Sequence, residues 1–319
     1  MVTKCEVTAT KSGHPWAVIL AGGEGRRLLP LTRLISGDDR PKQFCPIFGG
    51  KSLLAHTRAR LADAIARDDT MFVVTKAHES FYAGELADVR ARRIIVQPSN
   101  KGTAAAIAYA ALRIIDDDED GVVAFFPSDH YYSDERRFVS AVKLAIEMAT
   151  EHPDSLILLG AEPTHAEIEY GWIEPGPSAG LRYGEQLLCV NRFWEKPALG
   201  MAETLQQRGC LWNTFVMVGR ARTFVELLRS TVPALLRAFT ATWQDGEAGG
   251  AYEFLPSVDF SQQVLSKCTG RLLVLRLTDV GWSDLGHPHR VISTLERAGL
   301  AIHRAASVRI GYTASLQLT

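Results

Sequence analysis

The sequence predicts an α/β protein, a Rossmann-like doubly wound mixed sheet with a short C-terminal appendage. Three observations point there. Short, wholly apolar runs alternate with helical patterns through the first half of the chain. The first of these runs, WAVIL at 16–20, opens directly into a glycine loop. Beyond residue 165 the regular alternation gives way to closely spaced strand-like runs, so the sheet is expected to be mixed.

Strands are expected at 16–21, 71–75, 93–97, 121–126 and 155–161, with helices at 50–66, 78–89, 103–117 and 134–151 between them. Strands apolar along their whole length suit a parallel sheet covered on both faces. A βαβα rhythm places ligands at the carboxyl ends of such strands. Further strands are expected at 170–175, 187–195 and 211–218, and helices at 197–209, 220–243 and 287–299. The glycine-rich, acidic stretch 245–251 reads as a loop, and the acidic run 116–120 as a solvated helix end. The expected organisation is a flexible N-terminus (1–14), one catalytic domain (15–286) and a short C-terminal helix and tail (287–319).

The chain has 319 residues, 46% of them hydrophobic, enough for one large α/β domain. With 35 basic and 36 acidic residues its net charge is −1, which gives no reason to expect nucleic acid or an acidic membrane as the main partner. No apolar run approaches the roughly 20 residues of a membrane span. The first fifteen residues contain no apolar signal core, and the five cysteines form no C-x-x-C pair. A reduced, cytoplasmic protein without structural zinc is expected.

Ala21-Gly22-Gly23-Glu24-Gly25-Arg26-Arg27 follows the first strand, and Pro41-Lys42-Gln43-Phe44 comes soon after. Glycines admit phosphate oxygens close to backbone N–H groups, and the cations offset their charge. Better-known phosphate loops do not match. A dinucleotide fingerprint would need a third glycine where Leu28 stands, Cys45 occupies the first glycine position of a P-loop ending at Gly50-Lys51-Ser52, and a kinase loop lacks its H-R-D and D-F-G partners.

The combination G-G-x-G-x-R-L-x-P-L-T followed by P-K-Q-F resembles the signature of sugar-1-phosphate nucleotidyltransferases. The P-K-Q-F form is most similar to mannose-1-phosphate guanylyltransferases. The resemblance extends from about residue 16 to 290, with its motifs in family order. It implies the nucleotide-diphospho-sugar transferase type of sheet. It also implies Ala21, Gly22, Gly23 and Gly25 as the nucleotide loop, with Arg27 and Lys42 acting on triphosphate and transition-state charge.

Phe126-Pro127-Ser128-Asp129-His130 ends an apolar run, so Asp129 faces the expected ligand crevice. By itself it reads as a turn aspartate; beside the glycine loop and by resemblance it reads as a Mg²⁺ ligand. Gly281-Trp282-Ser283-Asp284-Leu285-Gly286 resembles the family's G-W-S-D-x-G, in which the aspartate is the second Mg²⁺ ligand. Read locally, Ser283 or Asp284 could instead cap the helix that follows. Arg192-Phe193-Trp194-Glu195-Lys196-Pro197 resembles F-x-E-K-P, which implies that Glu195 holds sugar hydroxyls and Lys196 the sugar phosphate. An exposed ion pair is the plainer reading of those two residues. By the same resemblance Gly171 and Asn213 position the sugar, while Trp212 is expected in the core.

Gln97-Pro98-Ser99-Asn100-Lys101-Gly102-Thr103-Ala104 stands in the place of the guanylyltransferase segment E-P-x-x-R-N-T-A, so Gln97 and Thr103 are the base-side candidates. Thr103 also reads as the N-cap of the helix after it. Three replacements there keep UTP or dTTP open beside GTP. Two further departures are Arg26, where the family has threonine, and residues 34–39, which read as an insertion ahead of Lys42. The expected partners are therefore an NTP (GTP first) and a sugar 1-phosphate, mannose 1-phosphate first, with Mg²⁺ as cofactor. Glucose 1-phosphate and a non-catalytic nucleotide-sugar sensor are the alternatives. The stretch after Gly286 is too short for several coils of the β-helix that aids assembly in family members, which leaves the oligomeric state open, a homodimer included.

Overall fold

The computed structural model describes residues 15–241 and 249–300, with side chains from residue 252 onward in the second stretch. The expected N-terminal arm, most of the 245–251 loop and the tail after residue 300 lie outside the described residues.

The chain begins with β1 (Pro15–Leu20), α1 (Leu29–Ser36), α2 (Leu53–Leu61), β2 (Thr70–Thr75), α3 (Glu79–Tyr82), β3 (Ile94–Gln97), α4 (Thr103–Asp117), β4 (Val122–Pro127), α5 (Glu135–Glu151) and β5 (Leu156–Ala161). It continues through the long hairpin β6 (Gly171–Arg182) and β7 (Glu185–Glu195), then α6 (Leu199–Gln207), β8 (Leu211–Arg220), α7 (Ala221–Thr231), α8 (Pro233–Ala241), α9 (Phe260–Gln263), β9 (Leu272–Leu277) and α10 (Pro288–Arg297). Nine strands form one sheet in the order β3-β2-β1-β4-β8-β5-β9-β7-β6. The first four run parallel, as their apolar character predicts. Antiparallel β8 then inserts between β4 and β5, which makes the sheet mixed.

Alternate residues of each strand feed two cores. Trp16 and Val18 join the helices α4, α7 and α8 on one face; Ala17 and Ile19 join α2, α5 and α6 on the other. The sheet is thus covered on both sides, the doubly wound arrangement that period-two burial requires. A smaller third core holds Leu28 and Leu31 from the start of the chain against Leu285, Val291 and Leu295 from its end. The helix expected at 287–299 is therefore packed into the fold.

Several elements differ from expectation. Residues 29–36, partly read as an insertion, form α1, which starts with a proline in its first turn and ends at Gly37 in the left-handed conformation (φ 79°). The helix expected at 78–89 is only the single turn of α3, with Gly84 just past its end. The helix expected at 220–243 is two, α7 and α8, because Pro233 cannot continue the first. β9 was not anticipated: LLVLRL is a short apolar run that carries no period of its own.

Candidate active site

A cleft of about 470 Å³ opens at the carboxyl ends of the parallel strands. The loop after β1 gives it Gly22, Gly23 and Arg27. Gln97 closes β3, Thr103 begins α4 and Asp129 follows β4. Gly171 and Asn213 come from β6 and β8, Glu195 and Lys196 from the end of β7, and Asp284 from the loop after β9. The motifs that were separate in sequence meet at one place.

The glycine loop owes its shape to what lies behind it. A Cβ at Gly22 would come within 2.9 Å of Gln97 Oε1 and 3.0 Å of Thr75 Oγ1. Gly25 has φ 61°, and a Cβ there would lie 3.1 Å from the backbone N of Lys42. The loop and the P-K-Q-F segment therefore stand back to back. Gln43 locks them by donating from Nε2 to Ala21 O (3.0 Å) and Gly23 O (2.7 Å). Ala21 itself is buried and donates to Val73 O (2.8 Å). The N–H groups of Gly22 and Gly23 have no protein acceptor among the described residues, so they remain for a ligand.

The two departures noted in the sequence leave this geometry intact. Asp38 pairs with Arg40 and Asp39 with Arg33, which folds residues 37–40 back so that Lys42 reaches Gly25. Arg26 points outward and pairs with Glu24.

Lys42 ties the Asp129 carboxylate to the main chain at Asp284. Lys42 Nζ lies 3.2 Å from Asp129 Oδ2 and donates to Asp284 O at 2.6 Å. Their loops are zipped together: Tyr131 and Ser283 exchange backbone hydrogen bonds of 2.9 and 3.0 Å, and Trp282 Nε1 donates to His130 Nδ1 (3.2 Å). Burial lowers the His130 pKa to about 4 despite the nearby Asp129, so the ring is neutral. Asp284 Oδ1 accepts from Tyr170 Oη (2.7 Å), Arg290 Nη1 (2.9 Å) and Gly286 N (2.8 Å). The helix-cap reading of Ser283 and Asp284 is not what forms: α10 starts from His287 with no side-chain cap, and both residues instead bond two positions ahead within their own turn.

Magnesium demands hard oxygen ligands and keeps several waters, so one or two carboxylates plus substrate phosphates suffice. Asp129 and Asp284 fit that requirement. No group of three or more acidic, histidine or cysteine side chains able to hold a metal exists among the described residues.

At the end expected to take the sugar, Gly171 faces Glu195 across the β6–β7 pairing. A Cβ at Gly171 would sit 3.0 Å from Glu195 Oε2 and 2.9 Å from Phe193 Cζ, so only glycine leaves space beside that carboxylate. Burial, then Asp259, raises the Glu195 pKa, against Lys196. Lys196 turns the chain at φ 47°, donates its N–H to Tyr170 O (3.1 Å) and keeps its ammonium 61% exposed, 3.5 Å from Glu195 Oε1. Asn213 is held by accepting from Phe215 N (3.1 Å), with Phe215 itself at φ 60°. Trp212 is buried, as expected.

At the end expected to take the base, Gln97 is buried and donates to Tyr252 Oη. Thr103 does not cap α4. It is the first helical residue, Gly102 is the cap, and the Thr103 hydroxyl accepts from Phe260 N (2.8 Å). Gly102 has φ 81°, and a Cβ there would meet Val258 O at 2.4 Å. Lys101 turns away from the cleft and donates to Glu253 O (2.8 Å).

Sequence reasoning assigned no role to Gln43, Glu169, Tyr170 or Arg290. Gln43 lies inside the P-K-Q-F segment, and Glu169 and Tyr170 directly precede Gly171, which was signal enough to ask about them. Arg290 had no local signal. It is 9% exposed and bonds Asp284 with Nη1 and both Glu167 (2.6 Å) and Glu169 (2.9 Å) with Nη2.

Residues 16–298 match the family described as Nucleotidyl transferase. The chain belongs to the nucleotidyl transferase family. This nucleotidyl transferase is 32% identical over 293 residues to the xanthan biosynthesis protein XanB of Xanthomonas campestris, covering 88% of this chain and 60% of XanB. It is 33% identical over 284 residues to the mannose-1-phosphate guanylyltransferase RfbM of Salmonella typhimurium, covering 84% of this chain and 56% of RfbM. The chain thus spans somewhat over half the length of these curated relatives. A Thermus thermophilus structure titled mannose-1-phosphate geranyltransferase superimposes with a TM-score of 0.77 at 28% identity, covering 90% of this chain and 79% of that one. A UDP-glucose pyrophosphorylase bound to UDP-glucose shares the fold, with a TM-score of 0.55 at 16% identity. No helix among the described residues is long and apolar enough to cross a membrane.

Proposed function

We propose that this nucleotidyl transferase moves a nucleotidyl group from GTP to mannose 1-phosphate and releases pyrophosphate. The observation that carries the proposal is one cleft with two chemically distinct ends. Free glycine N–H groups, Arg27 and Lys42 stand beside the paired carboxylates at one end, and a Glu195–Lys196 corner stands at the other. The printed names of the guanylyltransferase relatives support the choice of base and sugar.

The site's own groups suffice for positioning. The Gly22 and Gly23 N–H groups and Arg27 receive the triphosphate, Glu195 accepts from sugar hydroxyls, and Lys196 draws the sugar phosphate inward. Asn213 and Gly171 shape the sugar's seat. In-line attack of the sugar-phosphate oxygen on the α-phosphorus then forms one P–O bond as the bond to pyrophosphate breaks. Such a reaction depends on alignment and charge neutralisation rather than on a protein nucleophile. Asp129 and Asp284 would hold Mg²⁺, which supplies charge neutralisation at the phosphate oxygens. Lys42, between the Asp129 carboxylate and the Asp284 main-chain carbonyl, ties the two loops together and helps hold the Asp284 carboxyl ionised.

One observation favours a second base. Gln97 gives one amide N–H to Tyr252, which leaves its carbonyl and one N–H at this end, where the guanylyltransferase pattern has an acceptor-only carboxylate. UTP or dTTP is the alternative donor. Pyrophosphate release, measured for each NTP against mannose 1-phosphate and glucose 1-phosphate, with Mg²⁺ and with EDTA, decides between them. GTP with mannose 1-phosphate should be fastest; release with no pair would sink the transferase reading.

A further inference from the structure

We infer that Glu169 keeps Arg27 in reserve and surrenders it to an incoming polyphosphate; this rests on the transferase reading of the cleft. Arg27 is 58% exposed at the cleft, with Nη1 2.9 Å from Glu169 Oε1. Its backbone is fixed by the buried Leu28 beside it, so only the side chain is free to swing. The same Arg27 Nη1 lies 3.1 Å from His287 Nε2. The other oxygen of Glu169 lies 2.6 Å from that His287 nitrogen and accepts from Arg290 Nη2 (2.9 Å), which holds it without Arg27. Arg290 is immobile: it is buried against Tyr170 and tied to Asp284 and Glu167. Arg27 is the most exposed partner of Glu169 among the described residues. When it leaves, Glu169 stays hydrogen-bonded and charge-compensated, so the exchange leaves no uncompensated carboxylate behind.

A polyphosphate offers a guanidinium several anionic oxygens where Glu169 offers one. Glu169 thus competes weakly for Arg27. The consequence is a positioning residue that lowers affinity for both the triphosphate and the departing pyrophosphate, which eases product release.

A double-mutant cycle reads this directly. Calorimetric affinities for inorganic pyrophosphate and for GTP, both with Mg²⁺, would be compared in the wild type, Glu169→Gln, Arg27→Met and the double variant. Glu169→Gln should tighten both ligands roughly two- to fivefold, the scale of an exposed ion pair. In the Arg27→Met background the same change should do nothing. Unchanged or weaker binding in Glu169→Gln overturns the inference. So does tightening that persists without Arg27, since that is plain repulsion by a nearby carboxylate. Turnover in the same samples separates the two readings. An active wild type without the Arg27-dependent tightening sinks only the exchange; an inert wild type that shows it sinks only the transferase reading.

Discussion

Burial alone would raise the pKa of Asp284, yet Lys42 and Arg290, with the Tyr170 hydroxyl, bring it down from 3.8 to about 2. A carboxylate whose folded pKa is depressed stabilises the fold above its unfolded value, and that stabilisation is lost as pH falls toward the folded one. The shift corresponds to about 2 kcal/mol. The difference in urea-unfolding free energy between wild type and Asp284→Asn should be flat from about pH 5 to 8 and narrow below about pH 4. A pH-independent gap would show that Asp284 is not held ionised by these partners. Its counterpart Asp129 has fewer partners, so Asp129→Asn should fold normally and lose magnesium-dependent turnover by about a hundredfold or more; wild-type rates would remove it from the metal site. At the far end, Lys196→Ala should raise the KM for the sugar phosphate roughly tenfold, the worth of a charge-assisted hydrogen bond. An unchanged KM would leave Lys196 as a turn residue held at φ 47° and nothing more. These residues were legible because each sits in a short motif. Arg290 was not, because its partners Glu167, Glu169 and Asp284 are brought to it only by the tertiary fold.

The junction of α4 with the segment before α9 decides how the base end is built. Ala104 donates to Val258 O, Val258 donates to Lys101 O, and Phe260 donates to the Thr103 hydroxyl. Gly102 at the centre has a positive φ and no room for a methyl group against Val258. Gly102→Ala should therefore open this seam, costing about 2 kcal/mol or more in urea unfolding and raising the KM for the NTP, with the sugar-phosphate KM little changed. Equal effects on both substrates would mean that the seam supports the whole cleft and not its base end. The same junction explains a limit on sequence reading. Gly102 and Lys101 looked like departures from a recognition pattern, whereas one is required by backbone contact and the other turns outward. The parallel half of the sheet was readable because β1 to β4 are short apolar runs and all but β2, which is followed only by the single turn of α3, lead into a full helix. β9 was not, since an apolar run of six between turns signals burial without saying beside which strand it lies.

Across the whole molecule, the first and last described helices meet. The resemblance suggests a catalytic unit ending near Gly286, with an appendage after it, but α10 closes the third core, and Arg290 and His287 at its start bond carboxylates that line the cleft. Val291 and Leu295 bury against Leu28, Leu31 and Leu285, the same leucines that carry the turn bearing Arg27 and the turn bearing Asp284. Removing residues from 287 onward would strip that core. It would also leave Glu167, Glu169 and Asp284 clustered without the guanidinium that compensates them. Two buried aliphatic side chains contribute about 1.5 to 3 kcal/mol each, and breaking a buried ion pair costs about 3 to 5. Against a typical total stability of about 5 to 15 kcal/mol, a variant ending at Gly286 should not hold a cooperative fold at 37 °C. Arg290→Met, which keeps the helix and its apolar contacts, separates the two contributions: it should fold with a lowered Tm, bind Mg²⁺–GTP more weakly and lose most turnover. If the Gly286-terminated variant instead melts as cooperatively as the full chain and stays active, α10 is an appendage after all, and Asp284 must be positioned by Tyr170 and Lys42 alone.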